Sequence, residues 1–378
     1  MQVEQSSWTE SGKWVAEPVK LGGSAQLLLV FGDRIHLGRL QFLEEIKKSY
    51  PRATIIGCST AGEIIGTRVL DGSVISTAVE FEHTALRTAV AKLPKTEKSY
   101  GAGRELAHSL EKDGLVHVFV LSEGININGS ELVKGLYENL PEGVTATGGL
   151  AGDGEDFKET LVLCDNIIEP NRVVAVGFYS DRLKVGYGSL GGWDPFGPER
   201  LITKSSGNVL YEMDGSPALD LYKMYLGEHA KKLPSSGLLF PLTLRTEKDE
   251  RGVVRTILSV NEEKQSITFA GNVPMGSYAR LMKANFNRLV DGAAGAAKTS
   301  YEALGSSSPE LALLVSCVGR KMVLKQRIEE EVEAVRDILG TGTALAGFYS
   351  YGEISPFTPG ARCELHNQTM TVTTFLEN

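Results

Sequence analysis

The sequence lacks the features that several large classes of protein require. No apolar run approaches the roughly 18 residues that a membrane-spanning helix needs. Residues 1–14 have neither the basic nor the apolar region of a secretory signal. The formal net charge is −8 and no basic stripe is present, which disfavours a nucleic-acid partner. We therefore expect a folded cytoplasmic protein without membrane insertion.

Cysteine is scarce, with four residues in a chain of 378, and there is no CxxC pair or Cys/His cluster of zinc-binding spacing. Scattered cysteines in a chain of this length are typical of a reducing compartment. The sequence also has no GxSxG elbow, no Walker-type phosphate loop, no HExxH and no CxxCH motif. We accordingly expect no metal site and no enzymatic activity.

What the sequence does contain is a pattern of strands and helices that occurs three times. Each unit begins with an apolar strand, continues into a helix with one apolar face, and returns through a second strand to a glycine-containing corner. The first strands lie at 26–31, 117–121 and 311–315, the helices at 37–49, 130–140 and 326–339, and the corners at 57–66, 148–154 and 347–356. The pattern predicts an α/β fold of repeated strand–helix–strand units, with mixed β-sheets and helices on their faces.

A turn-rich break at 191–197 separates the second unit from the third and suggests two domains, which also suits the length. We expect the first domain at 25–200 and the second at 201–378. The second contains additional short strands and a charged hairpin tip at 247–252. The polar residues 1–24 are expected to form a loosely attached arm, with Trp8 and Trp14 packed on the body.

Several stretches resemble the FIST family, small-ligand sensory modules with an N-terminal and a C-terminal part. GCSTAGEI at 57–64 is similar to the signature of the N-terminal part, whereas VSCVGR at 315–320, GFYSYGEISP at 347–356 and HNQTM at 366–370 are similar to those of the C-terminal part. The similarity extends over about residues 25–375. It implies a non-enzymatic sensor of small molecules, amino acids among them, in signal transduction. Because this chain has no room for a kinase or cyclase module, the resemblance implies a separate signalling partner such as a histidine kinase or cyclase.

The first corner carries groups that suit a zwitterion such as an amino acid. Gly62 and its neighbours offer backbone N–H groups for a carboxylate, and Ser59 and Thr60 add hydroxyl donors. The carboxylate of Glu63 could meet an amino group. The alternative is that the glycines shape a turn between strands and that Glu63 satisfies nearby backbone groups.

The third unit offers further candidates. Tyr349 and Tyr351 have aromatic faces with polar tips, which suit either a pocket wall or packing between domains. Arg320 follows a strand end and could bind a carboxylate bidentately, or could pair with Glu353 or a glutamate on a helix face. His366 suits a hydrogen-bonded structural role or a ligand contact. The predicted ligand-binding residues are Cys58, Ser59, Thr60, Gly62, Glu63, Asp153, Ser316, Cys317, Arg320, Tyr349, Tyr351, Glu353, His366 and Asn367.

Two alternatives to the amino-acid sensor remain open. One branch of the FIST family is linked to heme and nitric oxide sensing, so the resemblance also allows a heme-binding gas sensor, although the spacing of the isolated histidines does not indicate an axial ligand. The other alternative is a thiol-dependent enzyme centred on Cys58, for which no sequence feature supplies a base. Outside the heme alternative, no cofactor is expected.

Overall fold

The computed structural model describes residues 1–8, 20–246, 249–357 and 360–378. Within these ranges, no helix is both long and apolar enough to cross a membrane. The α-helices are α1 (Arg34–Leu37), α2 (Leu40–Ser49), α3 (Ser99–Ser109), α4 (Gly129–Tyr137), α5 (Ala218–Leu226), α6 (Phe286–Ala303), α7 (Val318–Leu324) and α8 (Ile328–Leu339).

The strands fall into three groups along the chain: those before residue 193, those in a middle region at 193–284, and those after residue 284. Before the middle region lie β1 (Gln2–Trp8), β2 (Leu27–Gly32), β3 (Thr54–Ser59), β4 (Glu63–Ile65), β5 (Arg68–Leu70), β6 (Val74–Glu80), β7 (Ala85–Lys92), β8 (Leu115–Ser122), β9 (Thr145–Leu150), β10 (Val162–Cys164), β11 (Ile167–Glu169), β12 (Arg172–Tyr179) and β13 (Leu183–Leu190). The middle region contains β14 (Trp193–Ser206), β15 (Val209–Met213), β16 (Ser216–Pro217), β17 (Leu242–Thr246), β18 (Asp249–Arg255), β19 (Ile257–Asn261), β20 (Ser266–Phe269) and β21 (Tyr278–Ala284). After it follow β22 (Leu311–Cys317), β23 (Ala344–Ser350), β24 (Gly352–Pro356), β25 (Cys363–His366) and β26 (Met370–Glu377).

Three six-stranded sheets have the same internal order, which confirms the predicted repeat. The sheets run β1-β6-β2-β3-β10-β11, β7-β12-β8-β9-β24-β25 and β13-β26-β22-β23-β4-β5. In each sheet the parallel pair of one strand–helix–strand unit lies at the centre, namely β2–β3, β8–β9 and β22–β23. Antiparallel strands flank this pair on both sides, so the sheets are mixed.

The units are joined because the strand after each corner pairs with a different unit. After the first corner, β4 pairs with β23 of the third unit. After the second corner, β10 pairs with β3 of the first unit, and after the third, β24 pairs with β9 of the second. The three exchanges close a cycle. Strands β22–β26 thus complete sheets that contain strands of the N-terminal part.

The middle region forms the separate smaller body of the molecule. Its sheet runs β18-β17-β21-β14-β15-β20-β19, with β16 paired to β15, and α5 packs against it. Its core includes Ile202, Tyr222 and Phe269. The boundary expected at 200 falls within β14, so the structure places this body at 193–284, inserted between β13 and α6. Residues 247 and 248 of the predicted hairpin tip lie outside the described residues.

The N-terminal segment differs from the loosely attached arm that its polar composition suggested. Gln2–Trp8 is an edge strand, antiparallel to β6 along its whole length. The backbone hydrogen bonds of an edge strand do not require apolar side chains on both faces, so the composition gave no strand signal. Trp8 is buried and its ring meets the His36 ring edge-on at 5.5 Å, whereas Trp14 lies outside the described residues.

A glycine occupies the same position in the second parallel strand of all three units. The pairing registers align Gly57, Gly148 and Gly347, which lie opposite Val30, Val120 and Leu314. A Cβ atom at any of these glycines would overlap the carbonyl oxygen of the paired residue. The close approach of the parallel strands therefore requires glycine here.

We predict that Gly347→Ala lowers the free energy of unfolding by about 1–3 kcal/mol or more, since the new methyl group must displace backbone. Urea denaturation monitored by circular dichroism measures the change. Gly101→Ala in α3 is the matched control, because its Cβ meets no atom within 4 Å. Replacing a helix-interior glycine should leave stability equal or raise it by up to about 1 kcal/mol. Equal urea midpoints for Gly347→Ala and Gly101→Ala would show that the parallel strands do not approach closely enough to require glycine.

Candidate functional site

The three corners meet in one patch of hydrogen-bonded backbone. The Ala61 N–H donates to the Tyr349 carbonyl at 2.8 Å, and the Tyr349 N–H donates to the Gly62 carbonyl at 2.8 Å, which joins the first and third corners. The Gly152 N–H donates to the Ser59 carbonyl at 2.9 Å, which joins the second corner to the first. The strand exchange thus brings together segments that lie far apart in the sequence.

In the first corner, Glu63 is enclosed by hydroxyl groups. Thr60 Oγ1 donates to its Oε1 at 2.5 Å, and Ser73 Oγ donates to its Oε2 at 2.6 Å. Burial raises the pKa of Glu63 from 4.5 to about 7, although these two hydrogen bonds and the charge of Lys321 lower it. The carboxyl is directed inward, as in the structural alternative, and its oxygens are occupied by the protein.

The third corner repeats this arrangement. Ser350 Oγ donates to Glu353 Oε1 at 2.6 Å, with the same three-residue spacing as Thr60 and Glu63. The Thr369 hydroxyl and N–H both donate to Glu353 Oε2, at 2.9 and 3.1 Å. Burial raises the pKa of Glu353 to about 8, against the lowering effect of these hydrogen bonds. Two of the three units therefore share a buried hydroxyl–carboxyl pair.

The second corner uses its acid differently. Asp153 accepts hydrogen bonds from the backbone N–H groups of Phe157, Lys158 and Glu159, so it closes the loop that follows the corner. The Tyr351 hydroxyl donates to the same carboxylate. The Tyr351 ring stacks on Phe157, with ring centroids 4.5 Å apart and 11° between the planes. Asp153 and Tyr351 thereby tie the third corner to the second.

Arg320, Ser316 and Tyr349 converge on Glu331, a residue of α8 that sequence analysis did not single out. Arg320 Nε and Nη2 donate to Glu331 Oε2 at 3.0 and 2.8 Å. Ser316 Oγ and the Tyr349 hydroxyl donate to Oε1 at 3.0 and 2.8 Å. Both charged side chains are fully buried, and two carbonyl oxygens accept hydrogen bonds from Arg320 Nη1 and Nη2. Arg320 thus has the expected ion pair with a helix-face glutamate; its partner was missed because distance along the chain does not reveal which glutamate points inward.

Cys58 and Cys317 lie in the core. Both side chains are fully buried, and burial raises the pKa of each thiol well above its ordinary value. A buried neutral thiol is a poor nucleophile, because the thiolate is the reactive form. These environments do not support the thiol-dependent alternative.

His366 and Asn367 connect β25 to neighbouring segments. His366 Nε2 donates to the Ser355 carbonyl at 2.9 Å, and burial lowers the pKa of this histidine to about 4. Asn367 Nδ2 donates to the Tyr351 carbonyl at 3.2 Å. Its Oδ1 accepts from the Thr256 N–H at 3.3 Å, which links the smaller body to the corners.

The His117 side chain is buried in the core and is not accessible to a heme. His117 is packed beside Phe178 and Phe375 and contacts the hydroxyls of Thr145 and Thr147 at 2.8 and 2.9 Å. Burial lowers its pKa to about 3. Among the described residues, no group of three or more His, Cys, Asp and Glu side chains is arranged to hold a metal ion.

A cavity of about 430 Å³ opens beside the corners. Within the described part of the chain, none of the predicted ligand-binding residues lines it, although Gly62, Asp153 and Arg320 are chain neighbours of lining residues. The lining combines both charge signs with apolar surface, and all three units contribute to it. The lining residues are Ala61, Val69, Asp71, Gly154, Glu155, Val318, Lys321, Met322, Lys325 and Ile328.

Lys321 connects this cavity to the corners. Its Nζ donates to the Ala61 carbonyl at 2.8 Å, pairs with Asp71, and lies 5.6 Å from the centroid of the Tyr349 ring. A Cβ at Gly62 would clash with the Lys321 ammonium, so glycine at this position makes room for the lysine. Lys321 directly follows the VSCVGR stretch, and that proximity was the one sequence signal that could have identified it.

The fold and the corner motifs define a mixed α/β protein of two sequence parts, and family comparison agrees. The FIST N domain matches residues 26–216 and the FIST C domain matches residues 218–356. The chain belongs to the FIST family, whose domains are associated with sensory signalling.

The relatives found do not identify a ligand. An uncharacterized protein of Methanocaldococcus jannaschii, MJ1623, is 25% identical over 358 residues, which cover 87% of this chain and 67% of the relative. A cyanuric acid hydrolase from A. caulinodans aligns over 100% of this chain and 99% of its own, with 8% identity and a TM-score of 0.36. A chorismatase aligns over 99% and 98%, with 9% identity and a TM-score of 0.36.

Glu63 predicts a defined pH dependence of stability. Below pH 4.5 its carboxyl is protonated in both the folded and unfolded states. Between pH 4.5 and about 7 the unfolded chain releases a proton that the folded protein retains, so the free energy of unfolding falls as pH rises. Glu63→Gln should reduce this fall by roughly 1–3 kcal/mol, because the amide does not titrate. Its oxygen accepts from one hydroxyl, and its NH2 group can donate to the other hydroxyl once that group rotates.

Urea unfolding of the wild type and Glu63→Gln at pH 5 and pH 8 measures the effect. Glu302→Gln, on the exposed side of α6, is the control and should keep the wild-type slope. If Glu63→Gln loses as much free energy of unfolding between pH 5 and pH 8 as the wild type, ionisation of Glu63 does not destabilise the folded protein.

Proposed function

We propose that the protein is a non-enzymatic small-ligand sensor that binds an amino-acid-like or other small polar metabolite in the cavity beside the three corners. The observation that carries this proposal is the composition of the cavity wall. Ala61 and Gly154 come from the FIST N part, whereas Val318 and Lys321 come from the FIST C part. A ligand there would contact both parts at once.

The size and chemistry of the cavity support a small zwitterion or a similar polar molecule. About 430 Å³ is within the range of small-molecule sites. Lys321 and Lys325 offer positive charge, and Asp71 and Glu155 offer negative charge. Met322 supplies a flexible apolar wall for a side chain.

The position of the cavity supports a signalling role. Val69 and Asp71 belong to the hairpin region of the first unit, Gly154 follows the second corner, and Lys321 is on α7 of the third. A ligand that prefers one arrangement of these three elements would shift the population toward it. We infer that a separate cytoplasmic signalling protein, such as a histidine kinase or cyclase, reads this change.

We predict that at least one of the common L-amino acids or small carboxylates raises the melting temperature by about 2–5 °C at 100 times its Kd, since binding stabilises the folded state by about 2.7 kcal/mol there. Met322→Trp should abolish the shift, because the larger side chain projects from the wall into the space that the ligand would take. A thermal-shift screen with wild type and variant measures both effects.

Met224→Trp is the matched control, because Met224 is exposed on α5 in the smaller body. It should melt and respond like the wild type. If no compound in the screen stabilises a pure, folded sample, the result would count against an amino acid or small carboxylate as the ligand. A shift that survives Met322→Trp would place the ligand elsewhere.

A further inference from the structure

Lys321 and Asp71 form an ion pair whose two members differ sharply in exposure. The Lys321 side chain is 19% exposed and the Asp71 side chain 73% exposed. Lys321 is fixed by the Ala61 carbonyl and by its position above the Tyr349 ring. Asp71 lies in the short turn between β5 and β6, beside Gly72, which has a φ of +60°. The lysine is held in the cavity wall, while the aspartate can turn into water.

This asymmetry decides which member of the pair a ligand can replace. A largely buried ammonium group requires an anionic partner, because leaving its charge without one is costly. An exposed carboxylate loses little when it returns to water, since ion pairs of exposed groups are weak. An arriving anion can therefore take the place of Asp71 on Lys321.

We propose that the cavity is an anion receptor in which the carboxylate or phosphate group of the ligand displaces Asp71 from Lys321. This rests on the proposed function, because it assigns a ligand class to the same cavity. Lys325, which also lines the cavity, adds a second positive charge for the anionic group. Glu155 is available on the wall for a cationic group of the same ligand.

Displacement of Asp71 has a structural consequence in the first unit. The turn that holds Asp71 also holds Ser73, which donates to Glu63 at 2.6 Å. The Ser73 carbonyl accepts the Asp33 N–H at 2.9 Å. Release of Asp71 removes one of the contacts that fix this turn, so amide hydrogen exchange at residues 70–74 should increase when the anion binds.

Isothermal titration of the full chain with succinate, inorganic phosphate and neutral succinamide tests the proposal. Asp71→Asn removes the internal competitor, so the binding of succinate or phosphate should tighten about 2- to 5-fold. Lys321→Met removes the charged donor and should weaken it about 10-fold or more. Succinamide should bind at least 10-fold more weakly than succinate. Preference between succinate and phosphate identifies which anionic group the cavity takes.

The matched controls come from another ion pair in which the lysine is also the less exposed member. Lys223 is 31% and its partner Glu262 63% exposed, and both lie in the smaller body. Glu262→Gln and Lys223→Met should leave anion binding within about 2-fold of the wild type. If Lys321→Met is poorly folded, Asp71→Asn decides the matter alone, because it keeps the lysine.

Several results would overturn the proposal. Unchanged or weaker anion binding in Asp71→Asn would show that Asp71 does not compete. An amino acid or succinamide whose binding is lost in Met322→Trp but unaffected by Lys321→Met would contradict the anion receptor while leaving the proposed function intact. Binding of no compound in either panel would contradict both.

Discussion

The molecule depends on the pairing of each post-corner strand with a neighbouring unit. Because β4, β10 and β24 each complete another unit's sheet, no unit can bury its sheet edge alone. The same exchange brings the three corners into backbone contact. Polar chemistry at the corners is then buried, and it is satisfied by hydroxyls, backbone groups and the Arg320–Glu331 pair. The cavity exists where the three units meet beside this packed centre.

The repeat could be predicted from the sequence because each unit has its own local pattern of apolar and glycine residues. Apolar strands, one-sided helices and glycine corners recur with the same order, and the structure confirms that order. Strand exchange leaves no such local trace, since a strand of the composition of Glu63–Ile65 can pair with any neighbour. The boundary expected at 200 falls inside the long strand β14, so the turn-rich stretch at 191–197 does not mark a linker between separate sheets.

The candidate site shows a related division between residues that are conspicuous in the sequence and residues that line the cavity. Glu63, Glu353 and Tyr351 stand out in glycine-rich motifs, yet hydroxyls of their own units occupy Glu63 and Glu353, and Tyr351 joins the third corner to the second. Lys321 only adjoins a motif and Asp71 lies outside the motifs, but strand exchange brings them together across 250 residues. Motifs of this kind identify where chain segments meet, and the side chains that line the cavity lie beside these contacts.

The most direct test is a crystal structure of the protein with the compound that stabilises it most. The account predicts density for one molecule in the cavity between Ala61, Gly154 and Lys321, touching residues of both FIST parts. Density in the open groove along α3, lined by Lys98 and His108, with this cavity empty, would contradict it.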